Sequence, residues 1–294
     1  MSQSMAELTI VKNTYNGKVR DIYDLGDTLL IVTSDRISAF DVVFPNLIPD
    51  KGKILNQISV HFFKETQSII PNHFITDRVE DYPEELQAFR TELEGRSMLV
   101  RKTRVVPFEC IVRGYISGSA WQEYQKFGTV SNMIMPEGLK ESQRFPNPLF
   151  TPSTKASDGH DENISYHEML TRIDAMLAEK LKDTSIALYK FAHDFLKSKN
   201  IILADTKFEF GSIGSELYLI DEVFTPDSSR FWDVSEYVAG TSPKSFDKQY
   251  LRDYVTSIGW DNEPPAPELP VEIVEATAAK YKEAYHRITG EHLS

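Results

Sequence analysis

Short stretches rich in β-branched and aromatic residues, separated by turn formers, open the chain. VRDIYDL, DTLLIVTS after Gly26 and Asp27, and AFDVVF before Pro45 predict strands of an antiparallel sheet between Tyr15 and Val43. Over residues 53 to 65 the period changes: ILNQISVHFFKE spaces its apolar positions as a helix does, and MLVRKTRVVPFECIVRGY then returns to strand-like composition. Residues Gly128 to Ser165 are rich in Pro, Asn, Ser, Thr and Gly, which predicts long loops, and long loops in a compact chain often line a site. A helix is expected next, with Tyr166, Met169, Leu170, Ile173, Met176 and Leu177 in one apolar stripe. A second should run through Ile186, Tyr189, Phe191 and Phe195 and stop at Asn200. IILADTKFEF, the turn GSIGSE and LYLIDEVF read as a β-hairpin. Past PPAPELP, Val271, Val274, Ala278, Tyr281, Tyr285 and Ile288 mark one face of a closing amphipathic helix.

Composition narrows the partners. With 294 residues, 41% hydrophobic and 26% charged, the chain can bury a sizeable core or two subdomains. A net charge of −12 opposes wrapping a nucleic acid, so no such partner is expected. Small anionic ligands would need cations concentrated locally, from among Lys18, Arg20, Arg101, Lys102, Arg104, Arg113, Lys155, Lys207 and Arg230. Cys110 is the only cysteine, which excludes an intrachain disulfide, an iron–sulfur cluster and a cysteine-rich zinc site and fits a reducing cytoplasm. MSQSMAELTIVKN lacks an apolar signal core, and no run approaches the ~18 to 20 apolar residues of a membrane helix, so neither export nor a membrane anchor is expected.

The chemistry concentrates in the hairpin. Asp205, Lys207 and Glu209 are spaced by two, so strand alternation puts all three on one face. If the register across the turn pairs odd with odd residues, Asp221 shares the face of Glu209. Two carboxylates beside an ammonium suit magnesium, which takes oxygen ligands and commonly keeps nucleotide phosphates in its shell. A solvated sheet face with cross-strand ion pairs explains the spacing equally well.

Other segments offer anion receptors, each with a plainer reading beside it. TPDSSRFWD places Asp227 and Arg230 in a turn, where the arginine forks onto a phosphate or only decorates the surface. VVPFECIVRGYISGSAWQEY puts Arg113 at a strand end and Ser119 at a helix start, where backbone amides bind anions, or where Ser119 is an N-cap. YNGKVRDIYD sets Gly17, Lys18 and Arg20 in a turn without the P-loop pattern. SDRISAFD holds Ser38 at a strand-to-loop boundary. TPSTKASDGHDENIS packs Lys155, His160, Asp161 and Glu162 into one loop; the missing paired cysteines reject a zinc deaminase.

Taken in chain order the six segments resemble the SAICAR synthetase family of purine biosynthesis from Tyr15 to about Trp260, with VVPFECIVRGYISGS and LADTKFEFG similar to its two signatures. The resemblance implies an α+β fold: a smaller antiparallel β lobe, residues 1–104, a larger α+β lobe, residues 105–294 with the C-terminal amphipathic helix, and ATP in the cleft between. It implies that L-aspartate is joined to the carboxylate of carboxyaminoimidazole ribotide, CAIR, as ATP is cleaved with Mg2+. It assigns Glu209 and Asp221 to the metal nucleotide, Gly17, Lys18 and Arg20 to the turn over the phosphates, and residues 103 to 109, Glu109 included, to the hinge beside adenine. Arg113, Ser119 and Arg230 take the ribotide phosphate and nearby groups; Ser38, Lys155, His160, Asp161 and Asp227 complete the substrate sites, and Lys207 sits between the two substrates.

A carboxylate becomes an electrophile only when one oxygen is made a leaving group, so an acyl phosphate is the expected intermediate. Phosphoryl transfer to it depends chiefly on positioning and charge stabilisation. The attacking amine must be a free base, and Asp205 is a candidate to accept its proton. A small-molecule kinase and a non-catalytic nucleotide-binding module use the same cations and carboxylates and stay open as alternatives.

Overall fold

The computed structural model describes residues 13–155, 162–246 and 248–293. β1 (Asn13–Asn16), β2 (Arg20–Asp24) and β3 (Thr28–Thr33) follow one another as antiparallel neighbours. β4 (Arg36–Ala39) and β5 (Val42–Leu47) form a separate two-stranded sheet whose turn, Phe40 and Asp41, has positive φ at both residues, 51° and 65°. Helix α1 (Lys51–Glu65) buries Ile54, Leu55, Ile58, Phe62 and Phe63. It begins hard against the end of β3, since a Cβ on Gly52 would lie 2.2 Å from the Thr33 carbonyl oxygen. β6 (Phe74–Thr76), the single turn α2 (Arg90–Leu93) and β7 (Ser97–Arg101) complete a sheet ordered β1-β2-β3-β7-β6. Tyr23, Leu30, Val32 and Leu99 of that sheet pack on Val79, Tyr82, Leu86 and Leu93.

Next come β8 (Arg104–Val105), β9 (Phe108–Tyr115), α3 (Gly118–Phe127), the small hairpin β10 (Thr129–Val130) and β11 (Met133–Ile134), and β12 (Arg144–Phe150). They are followed by β13 (Ser153–Thr154), α4 (Tyr166–Leu170), α5 (Ala175–Lys197), β14 (Ile201–Ile213), β15 (Glu216–Ile220) and β16 (Ser229–Asp233). β14 is the hub: it pairs with β9, β15, β16 and β8, while β12 and β13 add to β9, all antiparallel. Tyr189 of α5 fastens that helix to the sheet, donating from its hydroxyl to the Leu203 carbonyl at 2.6 Å. Gly114 of β9 makes room for it, because a Cβ there would meet the same hydroxyl at 1.8 Å. The chain ends with α6 (Gln249–Ser257) and α7 (Val271–Thr289).

The class is α+β, as the resemblance implies, but three expectations need correction. The stripe from Tyr166 to Leu177 is not one helix. Ser165 caps α4, and Asp174 starts a second helix by accepting from the N–H groups of Met176 and Leu177 at 3.0 and 3.2 Å, which leaves Met176 79% exposed. The loop-like stretch 128–165 contains β12, whose Pro146 and Pro148 confine it to the outer side of β9 with a register shift between Arg144 and Leu149. The boundary expected at 104 also moves. Among the described residues, 13–64, 73–102 and 246–293 form one compact unit, and 65–72 with 103–245 the other. α6 and α7 belong to the first because Leu251, Val255, Leu269 and Ala278 close a core with Ile37, Ala39, Phe44 and Ile48. α7 buries Ala278, Tyr281, Tyr285 and Ile288 as its periodicity predicts, whereas Val271 stays 69% exposed.

Candidate active site

Four described candidates, Gly17, Lys18, Arg20 and Ser38, lie in the first unit; the other described ones lie in the second. His160 and Asp161 fall outside the described residues. In the first unit, the turn between β1 and β2 is closed by a bond from Gly17 N to Arg20 O at 2.8 Å, and a Cβ on Gly17 would sit 2.7 Å from that oxygen. Arg36 pins the turn. Its Nη2 donates to the Gly17 carbonyl at 3.0 Å and to Asp21 Oδ1 at 2.7 Å, and its Nη1 donates to Asp21 Oδ2 at 3.1 Å. Lys18 Nζ pairs with Asp41 at 2.5 Å, both side chains being exposed.

In the second unit, β14 presents Asp205, Lys207 and Glu209 on one face, and its ladder with β9 sets Asp205 opposite Arg113 and Lys207 opposite Ile111. That register brings Glu109 of β9 beside Glu209, two buried carboxylates whose repulsion needs a cation between them. Lys207 supplies it: Nζ donates to Glu109 Oε1 at 2.5 Å and to Glu209 Oε1 at 3.5 Å. Lys155, just past β13, ion-pairs with the other oxygen of Glu209. Burial lowers the proton affinity of Lys207, but Glu209, Glu109 and Asp221 together outweigh it and hold the group above the ordinary lysine value.

The odd-with-odd register expected across the hairpin is not found. Glu209 pairs with Ile220 and Phe210 with Leu219, because the strands close over the two residues between Ile213 and Glu216. Continued alternation would carry residue 221 to the opposite face. The chain leaves the ladder instead: Asp221 takes a left-handed φ of 69°, and its charge is one of the three that act on Lys207. Just beyond, Thr225 Oγ1 donates to Glu222 Oε2 at 2.6 Å and accepts from the N–H groups of Asp227 and Ser228, each at 3.2 Å. Asp227 is thus held in a closed hydroxyl-capped turn that delivers the chain into β16.

Arg113, Asp205 and Arg230 stand abreast on β9, β14 and β16. Asp205 Oδ2 accepts from Arg113 Nη1 at 3.0 Å and from Arg230 Nη1 at 2.9 Å. Arg113 Nε also reaches Thr151 Oγ1 at 3.1 Å and its Nη2 reaches Ser119 Oγ at 3.3 Å. Burial depresses the proton affinity of Arg113, with Asp205 opposing and Arg230 adding to the effect. Ser119 is not the N-cap: that position is Ser117, whose hydroxyl makes no capping bond and accepts from Arg230 Nη1 at 2.6 Å. Gly118 between them has φ 55°, and a Cβ on it would lie 2.5 Å from Arg230 Nη2. The free amides of the first turn of α3 therefore face the same neighbourhood as two guanidiniums.

Glu123 of α3 holds the adjoining loop. Burial pushes its carboxyl up, but the Asn132 N–H, the Thr129 hydroxyl, the Ser131 N–H and the charge of Arg113 keep it below the usual range. Sequence reasoning gives Ser117, Thr151, Glu222 and Thr225 no role in these networks and leaves Arg36 of SDRISAFD open between a binding residue and a plain turn residue. For Ser117, Thr151, Glu222 and Thr225 the signal is a hydroxyl or acid within four residues of a candidate, as in YISGS, TPSTK and DEVFTPDS.

The donor set suits a hard cation, since Glu209 and Asp221 offer carboxylate oxygens beside the ammonium groups of Lys207 and Lys155. Among the described residues no group of three or more His, Cys, Asp and Glu side chains is disposed to hold a metal, so phosphate and water oxygens would have to complete a shell there. No helix of the described residues is long and apolar enough to cross a membrane.

Comparison with known proteins identifies the family. The SAICAR synthetase family model matches residues 13–267. A phosphoribosylaminoimidazole-succinocarboxamide synthase from Elusimicrobium minutum is 55% identical over 98% of this chain and 98% of its own length. The SAICAR synthase from Saccharomyces cerevisiae, solved in complex with SAICAR, superposes with a TM-score of 0.91 at 43% identity, covering 100% of this chain and 99% of its own. A SAICAR synthetase solved in complex with ADP superposes with a TM-score of 0.68 at 27% identity, covering 95% and 99%. A kinase and a non-catalytic binding module give way to these likenesses. A match over most of the chain, together with a near full-length relative at more than half identity, means that the chain belongs to the SAICAR synthetase family and is a ligase of purine biosynthesis.

Proposed function

We propose that this ligase joins L-aspartate to the C4 carboxylate of CAIR at the expense of ATP, in two steps. A CAIR carboxylate oxygen takes the γ-phosphoryl group, giving an acyl phosphate and ADP. The aspartate amine then attacks the acyl carbon, the C–O bond to phosphate breaks, and the amine loses a proton to leave SAICAR and inorganic phosphate. The observation that carries the reading is a lysine bonded to Glu109 and Glu209, whose charges with that of Asp221 favour its protonated form, two positions along β14 from a two-arginine receptor. Those two positions span about 7 Å along the strand.

In this reading Lys207 bridges toward the transferring phosphoryl group, Glu209 and Asp221 would hold Mg2+, and Arg113, Ser119 and Arg230 receive the ribotide phosphate. The metal, when bound, would neutralise phosphate charge and orient the triphosphate. Gly17, Lys18 and Arg20 cover the nucleotide phosphates, with Glu109 in the nucleotide site; Ser38, Lys155, His160, Asp161 and Asp227 serve the substrates. The family resemblance in these segments supports the assignments. The single buried thiol, Cys110, agrees with a cytoplasmic setting. Phosphate release measured with ATP, CAIR and aspartate, omitting each in turn, is the test. Release must require both CAIR and aspartate; phosphate release without aspartate at an undiminished rate overturns the proposed sequence.

A further inference from the structure

The geometry points to Asp205 as a positioning residue that assembles the two-arginine receptor, rather than as the acceptor of the aspartate amine's proton. The inference rests on the reading that Arg113 and Arg230 receive the ribotide phosphate. Asp205 lies on the middle strand of three, with Arg113 paired to it from β9 and Arg230 from β16. One oxygen, Oδ2, takes Nη1 of both arginines, at 3.0 and 2.9 Å. Two guanidiniums held this close repel, and Arg113 is buried, so neither keeps its place without a shared anion. The surrounding hydroxyls finish the clamp: Thr151 and Ser119 take the remaining reach of Arg113, and Ser117 takes Arg230. Ser117 gives up its capping bond to α3 to do so, which ties the start of that helix to the pair.

A carboxylate at an anion receptor subtracts positive charge from it. Simple electrostatics therefore says that removing Asp205 should tighten phosphate binding, and a role in aiming the arginines says the opposite. A proton acceptor would show itself differently again, in turnover and in the acidic limb of the pH profile. The three roles separate in one experiment. Asp205→Asn keeps the size of the side chain and part of its hydrogen bonding but not its charge.

Steady-state kinetics with CAIR varied at saturating ATP, magnesium and aspartate, and calorimetric titration with SAICAR, should show KM for CAIR and the SAICAR dissociation constant raised roughly 10- to 100-fold. Turnover at saturating CAIR should stay within a few-fold, and the pH profile of kcat should keep its shape. An unchanged or lowered KM overturns the proposal, as does a fall in kcat that removes the acidic limb at constant KM. Arg230→Lys separates the two layers of argument. If it raises KM for CAIR while Asp205→Asn does not, the positioning role fails and the ribotide assignment stands; if it leaves KM unmoved, the assignment falls and takes the inference with it. Should Asp205→Asn not fold, Ser117→Ala decides. It removes only the second anchor of Arg230, and a several-fold rise in KM supports the clamp whereas no change refutes it.

Discussion

Substituting Gly118 by alanine tests how the site is built, because two separate penalties meet at that residue. The first is local: φ at Gly118 is 55°, a left-handed conformation that costs an alanine about 1–2 kcal/mol. In a chain of this size that lowers Tm by roughly 2–8 °C. The second is steric and falls on a neighbour. The new Cβ would stand 2.5 Å from Arg230 Nη2, 2.9 Å from Nη1 and 3.0 Å from Cζ, so the guanidinium must move. It then loses its bonds to Ser117 at 2.6 Å and Asp205 at 2.9 Å. A hydrogen bond to a charged group contributes about 1.5–3 kcal/mol, which corresponds to roughly a 10- to 150-fold rise in KM for CAIR if Arg230 grips the ribotide. Gly128 is the built-in control. It sits at φ 69° on the other end of α3, and a Cβ there meets nothing within 4 Å. Gly128→Ala should lower Tm by a similar amount and leave KM alone. The assay is a thermal melt of both variants beside CAIR saturation curves. If the two variants raise KM equally, or Gly118→Ala does not raise it, the steric argument is wrong.

Glu209→Gln and Asp221→Asn should each leave the thermal melt near that of the parent and cut turnover roughly 100-fold or more, since the nucleotide's metal would lose a charged ligand; near-parental turnover in both refutes the metal assignment. Glu123→Gln should destabilise the protein by about 1–2 kcal/mol at neutral pH. Because the carboxyl of Glu123 is held below its unfolded value, that stability is present above about pH 4.3 and is lost as pH falls through the folded value, so the parent and variant denaturation curves should converge in acid. A difference that persists unchanged at pH 3 excludes the carboxylate as its source.

Local pattern carried much of the site into view. The i, i+2 charges of β14 announce a polar strand face before any partner is known, and the glycines and serines after Arg113 announce a helix start. What the pattern could not carry is pairing over distance. Arg113 and Asp205 are 92 residues apart, and nothing in either segment says that one carboxylate oxygen will serve two arginines. The hairpin register turns on how many residues the turn takes, and GSIGSE allows more than one answer. The strands use most of it and leave two, which reverses the parity on which a shared face for Glu209 and Asp221 was argued. Asp221 leaves the ladder with a left-handed φ and its charge still acts on Lys207, and a non-glycine residue gives no notice of such a kink. The start of helix α5 is hidden for a related reason: Asp174 is one more acidic residue in a polar face until its side chain is seen taking two backbone N–H groups.

The joining of α6 and α7 to the first strands sets a timetable for synthesis. Ile37, Phe44 and Ile48 leave the ribosome early, yet Leu251 and Val255, which cover them, come about two hundred residues later. At roughly 5–20 residues per second, that apolar surface stays bare for on the order of 10–40 s while the 103–245 segment has everything its own sheet requires. The nascent chain thus carries an unfinished half beside a finished one, and the unfinished half is where a chaperone would find its binding site.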